Sequence, residues 1–169
     1  KQINSSKMSD QINIRPIEPG DNIALAKVIR DALTEFGANK PGTVYFDPTT
    51  DALYELFRAK GAFYYVATIN GELVGGAGIF PTENLPAGTC ELVKLYLKAS
   101  ARGTGLGKAL MLQAMAWAKE NGYAQVYLET MPELSNAVTM YEKLGYTRLT
   151  KSLGNSGHDG CSIWMLKTL

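Results

Sequence analysis

The chain has 169 residues, 46% hydrophobic and 20% charged, which is an ordinary composition for a globular protein. Its 17 basic and 16 acidic residues leave a formal net charge of +1, so overall charge gives no support to a nucleic-acid or membrane-surface role. No apolar run approaches the length of a membrane span and no secretory signal precedes the first predicted strand, so we expect a cytoplasmic protein with no membrane partner.

The first residues precede the predicted domain. We expect residues 1–11 to be a disordered leader or residues foreign to the natural chain, with Met8 as a natural start. Residues 12–169 show no internal repeat, low-complexity tract or linker, which predicts one domain. Cys90 and Cys161 lack C-x-x-C spacing and the chain has a single histidine, so no metal site is predicted.

Hydrophobic periodicity and turn residues predict the order of helices and strands. Asp21 and Ser135 are predicted helix N-caps, and Asn70-Gly71 is a strong signal for a hairpin. Strands are predicted at 12–15, 62–68, 72–80, 91–97, 125–130, 146–150 and 162–167, and helices at 21–37, 51–60, 108–121 and 135–145. Hairpins combined with crossovers predict a mixed α/β sheet with helices on both faces.

The most informative stretch is 91–108, ELVKLYLKASARGTGLGK, which is typical of a strand, a glycine loop and the start of a helix. Three glycines within 102–107 allow the backbone to approach a ligand closely. A helix N-terminus offers unpaired N–H groups and a positive dipole end to an anion. No acidic residue lies between Leu92 and Lys119. The stretch therefore predicts a site for a phosphate or pyrophosphate.

Two common phosphate loops do not fit this spacing. A P-loop requires Ser or Thr where Ala109 stands and glycine where Arg102 stands, and a Rossmann fingerprint requires G-x-G-x-x-G, whereas the chain has G-x-G-x-G. The pattern that fits is R-x-x-G-x-G, with Arg102, Gly105 and Gly107. It resembles the pyrophosphate-binding motif of the GCN5-related N-acetyltransferase (GNAT) superfamily. A glycine-rich turn without a ligand is the alternative.

A second segment carries the same resemblance. Asn136-x-x-x-x-Tyr141-Glu142-Lys143-Leu144-Gly145-Tyr146 is similar to the superfamily's N-x-x-x-x-Y-E-K-x-G-[FY] segment. The resemblance covers roughly residues 12–167. It implies the GNAT fold, in which a central mixed, mostly antiparallel sheet of about seven strands is flanked by about four helices.

The resemblance also implies acetyl-coenzyme A as cosubstrate. The central strand would splay from its neighbour so that its backbone pairs with pantetheine, and the loop N–H groups would hold the pyrophosphate, with Arg102 and Lys108 adding charge. Asn136 would reach the pantetheine or the coenzyme's phosphate side; the alternative is a polar first-turn residue that stabilises the helix N-terminus. The expected coenzyme-binding residues are Leu95, Tyr96, Leu97, Arg102, Gly103, Thr104, Gly105, Leu106, Gly107, Lys108, Asn136 and Tyr141.

Amine attack on a thioester requires a proton acceptor, because a lysine-type amine has a pKa of about 10.4. Glu91 is the candidate base. Strand alternation predicts that it shares a face with Val93, Leu95 and Leu97, and it lies eleven positions before Arg102, which resembles the catalytic Glu of the superfamily's histone acetyltransferases. Its alternative is a structural strand glutamate.

Tyr141 is the candidate acid for the leaving thiolate, because the superfamily places a tyrosine hydroxyl near the coenzyme sulfur at this position. The alternative is a packed helix aromatic. Tyr45 and Phe46 lie in a loop that resembles the superfamily's acceptor-binding loop, which makes them candidate substrate contacts; the alternative is that they are core or lid residues. His158, the only histidine, is a candidate substrate contact or proton relay; otherwise it is a loop residue without function.

The predicted function is acetyl transfer from acetyl-coenzyme A to a primary amine of a small molecule, peptide or protein, by direct attack in a ternary complex. The alternative is a non-catalytic acyl-coenzyme A sensor on the same fold. We expect a monomer or homodimer, without a nucleic-acid partner.

Overall fold

The computed structural model describes residues 9–169, so most of the predicted 1–11 leader lies outside the described residues. In chain order the strands and helices are β1 (Ile12–Pro16), α1 (Asn22–Glu35), α2 (Leu53–Leu56), β2 (Phe63–Ile69), β3 (Glu72–Phe80), β4 (Thr89–Leu97), α3 (Leu106–Glu120), β5 (Gln125–Thr130), α4 (Ser135–Lys143), β6 (Thr147–Arg148) and β7 (Ile163–Thr168). The described strands form one seven-stranded sheet in the order β1-β2-β3-β4-β5-β7-β6. Among these described strands, only β4 and β5 pair in parallel. The predicted fold is therefore confirmed.

Each face of the sheet carries its own hydrophobic core. On one face, α3 packs Leu110, Met111 and Ala114 against the sheet, and α4 adds Tyr141. On the other face, α1 and α2 pack through apolar residues at helical spacing, such as Leu25 and Ile29. The predicted placement of helices on both faces is thus confirmed.

The β2–β3 hairpin turns at the predicted dipeptide. Asn70 and Gly71 have φ angles of 51° and 81°. Two consecutive left-handed residues match the right-handed twist of the flanking strands, and Asn and Gly tolerate that conformation best.

The central strand β4 contains a bulge that the sequence did not reveal. Gly78 pairs with Val93 and Gly76 with Tyr96, so one extra residue lies on the β4 side. Lys94 adopts φ 54° there, and the Tyr64 hydroxyl donates to its carbonyl oxygen at 2.8 Å. The bulge fixes Lys94 in a conformation that lysine rarely adopts.

The bulge reverses the alternation of side chains along β4. Leu95 and Leu97 pack with the α3 core, whereas Val93 and Tyr96 pack with the α1 core. Glu91 shares the α1 face with Val93, two positions away. The prediction that Glu91 shares a face with Leu95 and Leu97 is therefore wrong.

Asp21 is the N-cap residue of α1, as predicted, but neither Asp21 nor Ser135 caps a helix through its side chain. Asp21 has helical backbone angles and makes no side-chain cap bond; its carboxylate instead accepts from the Arg15 guanidinium at 2.8 and 2.9 Å. Ser135 is the first residue of α4, and Leu134 occupies the N-cap. In each case a preceding 3-10 turn runs directly into the helix, which leaves no extended residue to cap it.

Two predicted elements are shorter in the structure. The helix predicted at 51–60 is reduced to α2, because a 3-10 turn, Pro48–Asp51, occupies its beginning and residues 57–60 form turns and a bend. The strand predicted at 146–150 is only β6. Within residues 9–169, no helix combines the length and apolar character needed to cross a membrane.

The pairing of β4 with β5 ends early. It joins Thr89, Cys90 and Glu91 to 125–127 and goes no further, although both strands continue. Beyond Glu91 the two strands diverge, as the sequence analysis predicted, and a groove opens between them.

Candidate active site

The groove between β4 and β5 encloses a cavity of about 500 Å³, within the size range of small-molecule sites. The glycine loop lies at one end, and Glu91 and His158 lie at the other. The predicted site residues that line it are Glu91, Leu95, Tyr96, Leu97, Arg102, Gly103, Gly105, Leu106, Gly107, Lys108, Asn136, Tyr141 and His158. Residues that the sequence analysis placed in separate segments therefore meet in one cavity.

The glycine-loop end has the features of an anion site. Helix α3 starts at Leu106, and its N-cap Gly105 has φ 80° and no capping side chain. A Cβ at Gly103 or Gly105 would meet no atom within 4 Å, so the loop leaves open space beside the helix terminus. Lys108 is exposed in the first turn. Free N–H groups, the helix dipole and one lysine all favour a bound phosphate.

Arg102 has a partner that the sequence analysis did not identify. Its guanidinium pairs with Glu35 at 2.7 Å, lies 4.6 Å from the centre of the Phe36 ring and donates to the Leu97 carbonyl at 3.2 Å. Arg102 thus ties the loop to the end of α1. Its predicted contact with pyrophosphate stays a prediction.

Tyr141 combines burial with access to the groove. It is 7% exposed and lines the cavity from α4. Burial raises its pKa above the ordinary tyrosine value, so the hydroxyl stays protonated at neutral pH. A protonated hydroxyl at this position could donate to a leaving thiolate.

Glu91 is a buried carboxyl group. It is 2% exposed and accepts a hydrogen bond from the Thr82 hydroxyl at 3.0 Å. Burial and then the charge on Glu129 raise its pKa to about 8, against the opposing effects of Thr82 and Lys94. Although it lies on the opposite face from Leu95, the cavity extends to that face, and Glu91 lines it. A carboxyl group with a pKa near neutrality suits proton transfer.

An ionic cluster lies beside Glu91, and two of its members were not anticipated. Asp47 Oδ2 is 2.8 Å from His158 Nε2 and 3.6 Å from Lys94 Nζ. Burial alone would raise the pKa of Asp47, but hydrogen bonds from His158 and Thr49 and the charge of Lys94 hold it below its usual range. These residues and Glu91 also line an adjoining cavity of about 270 Å³. A lysine interrupting the apolar run of β4 was the one sequence signal for this cluster.

Glu129 connects the loop 151–160 to the groove. Its carboxylate accepts from the Tyr127 hydroxyl at 2.6 Å and from the Ser156 hydroxyl. The Ser156 oxygen in turn accepts from the His158 backbone N–H at 3.1 Å. This network holds the loop, and His158 with it, against β5.

The sequence analysis also did not identify Thr130, the last residue of β5, as a candidate site residue. It is 4% exposed and lines the groove. Its hydroxyl is the one fully buried side-chain polar atom that lacks a hydrogen-bond partner among the described residues. Buried polar atoms are normally paired, so the groove wall holds one hydroxyl with an unused donor, although its own surface is closed to solvent.

Tyr45 and Phe46 do not line either cavity. Their rings pack edge to face, 4.9 Å apart, and Phe46 is 58% exposed. The residues on either side of this pair do reach the cavities: Val44 lines the groove and Asp47 the adjoining cavity. Substrate contact by Tyr45 and Phe46 stays a prediction.

Neither cysteine has the environment of a nucleophile. Cys90 is fully buried, and Cys161 is half-buried in the groove wall. Burial raises the pKa of both thiols to about 12, which disfavours the reactive thiolate. Among residues 9–169, no three His, Cys, Asp or Glu side chains are grouped as metal ligands would be.

Comparison of the chain with known proteins points to one family. The sequence profile of the acetyltransferase (GNAT) family matches residues 26–146. The chain is 42% identical over 151 residues to the uncharacterized N-acetyltransferase YjgM of Escherichia coli, covering 88% of this chain and 90% of that protein.

Solved structures share the fold at low sequence identity. A GNAT-family acetyltransferase from Staphylococcus aureus has 20% identity and a TM-score of 0.82, covering 94% of this chain and 99% of its own. The PaiA N-acetyltransferase of Thermoplasma acidophilum, in complex with coenzyme A, has 22% identity and a TM-score of 0.73 over the same shares of the two chains.

Proposed function

The chain belongs to the acetyltransferase (GNAT) family and is an N-acetyltransferase that uses acetyl-coenzyme A; we propose that it acetylates a primary amine by direct attack in a ternary complex. The observation that carries this proposal is the single groove that joins an anion-binding helix terminus to a buried carboxyl group and a buried tyrosine. The amine would enter at the Glu91 end, beside His158.

The residues present fit acetyl-coenzyme A. The open space beside Gly103 and Gly105, together with the uncapped N-terminus of α3, suits the pyrophosphate. The unpaired edge of β4 at Leu95–Leu97 suits the amide groups of pantetheine, because no strand bonds to it there on the β5 side. Asn136, exposed in the first turn of α4, faces the same groove. When bound, the coenzyme supplies the acetyl thioester.

Two side chains would move protons in the proposed reaction. Glu91 takes the proton of the ammonium group, and the freed nitrogen lone pair forms a bond to the acetyl carbon. The carbon–sulfur bond then breaks, and Tyr141 gives its proton to the leaving thiolate. The second proton of the attacking nitrogen returns to the Tyr141 oxygen, directly or through water, and Glu91 releases its proton to solvent. The thiols of Cys90 and Cys161 take no part, in keeping with their raised pKa values.

An acceptor screen tests this proposal. The protein is incubated with acetyl-coenzyme A and a panel of primary amines, and free coenzyme A thiol is followed by colour formation. The proposal predicts amine-dependent thiol release. A non-catalytic sensor would bind acetyl-coenzyme A in calorimetry and release no thiol with any amine.

Tyr141→Phe is expected to lower kcat by about 10²–10⁴-fold, because general acid help is typically of that size. The affinity for acetyl-coenzyme A should change little, since only the hydroxyl is removed. The measurement is steady-state kinetics together with calorimetry. Tyr146→Phe is the matched control: Tyr146 is buried beside Tyr141 but places its hydroxyl on Met115 Sδ at 3.2 Å, so kcat should stay near wild type. An unchanged kcat in Tyr141→Phe would remove Tyr141 from the chemistry.

Thr130→Val is expected to separate stability from activity. The hydroxyl lacks a partner, so a methyl group of the same shape should leave the melting temperature unchanged or raise it. If the hydroxyl bonds a ligand, kcat/KM should fall about 3–10-fold, the usual size of one neutral hydrogen bond. Thr50→Val is the control, because the buried Thr50 hydroxyl donates to the Val44 carbonyl at 2.8 Å; this variant should lose stability instead. If Thr130→Val were less stable than the wild type and had normal kinetics, the Thr130 hydroxyl would not be a ligand contact.

A further inference from the structure

Lys94 is a buried lysine at the junction of the two cavities. Its side chain is 3% exposed, and it lines both the groove and the adjoining cavity. The adjoining cavity includes no residue of the glycine loop, so Lys94 lies at the acceptor end. A charge that is buried this deeply is costly unless it is paired and hydrogen-bonded.

The pairing of Lys94 within the described residues is incomplete. An ammonium group has three donors, but its one ion-pair partner in this part of the chain, Asp47, lies at 3.6 Å, beyond normal hydrogen-bond length. The same carboxylate accepts from Thr49 N at 2.9 Å and Thr49 Oγ1 at 2.7 Å, and it contacts His158. Asp47 is therefore largely occupied, and Lys94 keeps donors for a second anion.

The backbone fixes where these donors lie. Lys94 occupies the bulge of β4 with φ 54°, and the Tyr64 hydroxyl holds its carbonyl. A Cβ at Gly76 would lie 2.4 Å from the Tyr64 ring, so the glycine on β3 makes room for this contact. The position of the ammonium is thus set by the sheet rather than by a mobile loop.

The carboxyl groups of Glu91 and Glu129 line the same groove. Their negative charge, which Glu91 carries once the pH exceeds its raised pKa of about 8, favours a cationic amine, as the proposed reaction requires. The acceptor end therefore offers acidic groups to an ammonium and one ammonium with spare donors to an anion. A molecule that carries both charges is complementary to it.

We infer that the acceptor is an amino acid, an amine that also bears a carboxylate, and that Lys94 binds the carboxylate while the amine lies at Glu91. This inference rests on the proposed function. Lys94 would then set acceptor specificity without taking part in proton transfer. A carboxylate beside Lys94 would also favour its charged form, which burial otherwise disfavours.

Matched substrates test the inference in the wild-type protein. Each set contains an amino acid, its amide and its decarboxylated amine, for example leucine, leucinamide and isoamylamine, with cadaverine as a diamine. The readout is kcat/KM from thiol release. We expect each free acid to exceed its amide and its amine by at least about 10-fold, the size of a hydrogen bond to a charged group. The amide loses its proton more readily than the acid, so a preference for the acid cannot come from amine basicity.

Lys94→Met removes the charge and keeps the length of the side chain. The acid-to-amide ratio of kcat/KM should fall by at least about 10-fold, mainly through a higher KM for the acid. Lys98→Met is the matched control, because Lys98 lies on the same chain segment but pairs with Glu72 at the surface; its ratio should stay at the wild-type value. If Lys94→Met does not fold, the ratios of kcat/KM between acid, amide and amine in the wild type test the inference by themselves.

Three outcomes would overturn the inference. Amides, simple amines or cadaverine could be used as well as the acids by the wild type, or a folded Lys94→Met could keep the wild-type ratio; either result leaves the proposed transferase function standing. If no amine of any class released thiol while calorimetry showed acetyl-coenzyme A binding, the proposed function would fail and the inference with it.

Discussion

Gly107→Val is expected to weaken acetyl-coenzyme A binding by at least about 100-fold, because a branched side chain would occupy the groove where the backbone should approach the ligand. Gly107 is the second residue of α3 and lines the cavity. A Cβ there would lie 3.5 Å from Leu97 Cδ1 and 4.0 Å from Met140 Sδ, which is ordinary contact, so the fold should tolerate it. Isothermal titration calorimetry measures the effect.

Gly107 is a better test position than Gly105, because a loss of binding in Gly107→Val cannot come from backbone strain. Gly105 has φ 80°, so any side chain there would strain the backbone as well as block the loop. Ala109→Val is the control, since it places the same residue at an exposed position of the same helix turn. It lowers helix propensity, whereas Gly107→Val does not, so a loss of binding confined to Gly107→Val cannot come from a weakened helix. If a folded Gly107→Val bound acetyl-coenzyme A with wild-type affinity, the pyrophosphate site would lie elsewhere.

Glu91→Gln is expected to lower kcat/KM by about 10²–10⁴-fold near pH 8 to 9. The wild-type profile should rise to a break near pH 8, the pKa that burial gives Glu91, and decline above the pKa of the amine, about 10 for a lysine-type acceptor. The variant lacks the base and depends on free amine, so its rate should rise steadily towards the pKa of the amine. The deficit should shrink as that pH is approached. If the pH profiles of the wild type and Glu91→Gln were parallel, Glu91 would not be the general base, and His158 would be the next candidate for that role.

The melting temperature of the same pair of proteins checks the burial of Glu91 independently of catalysis. The pKa of Glu91 is about 8 in the folded protein and about 4.5 in the unfolded chain, so folding favours the protonated form. The resulting stability is complete below pH 4.5 and is lost as the pH rises through 8. The wild type should therefore lose melting temperature relative to Glu91→Gln between about pH 5 and pH 9. A constant difference would show that Glu91 is solvated.

Local signals in the sequence were enough to place one half of the candidate site in the fold. The glycine loop, the helix that follows it and the Asn70-Gly71 turn depend on residues adjacent in the chain. Their structures could therefore be predicted from the type and spacing of those residues. Tyr141 was found because its motif is also contiguous. The ion pair between Arg102 and Glu35 was not predicted, because the end of α1 meets the glycine loop only after the sheet has formed.

The acceptor end could not be predicted in the same way. The bulge at Lys94 depends on the register with β3 and on the hydroxyl of Tyr64, thirty residues away. Asp47 and His158 are 111 positions apart, and no local pattern connects them. The assumption of regular alternation therefore placed Glu91 on the wrong face, although the diverging strands still expose it to the groove.

The central claim is that acetyl passes directly from acetyl-coenzyme A to an amine held beside Glu91. Initial rates measured over a grid of both substrates, together with the intact mass of the protein after exposure to acetyl-coenzyme A alone, test it most directly. Direct transfer predicts intersecting double-reciprocal lines and no acetylated protein. Parallel lines, with acetyl found on Cys161 or Cys90, would contradict it.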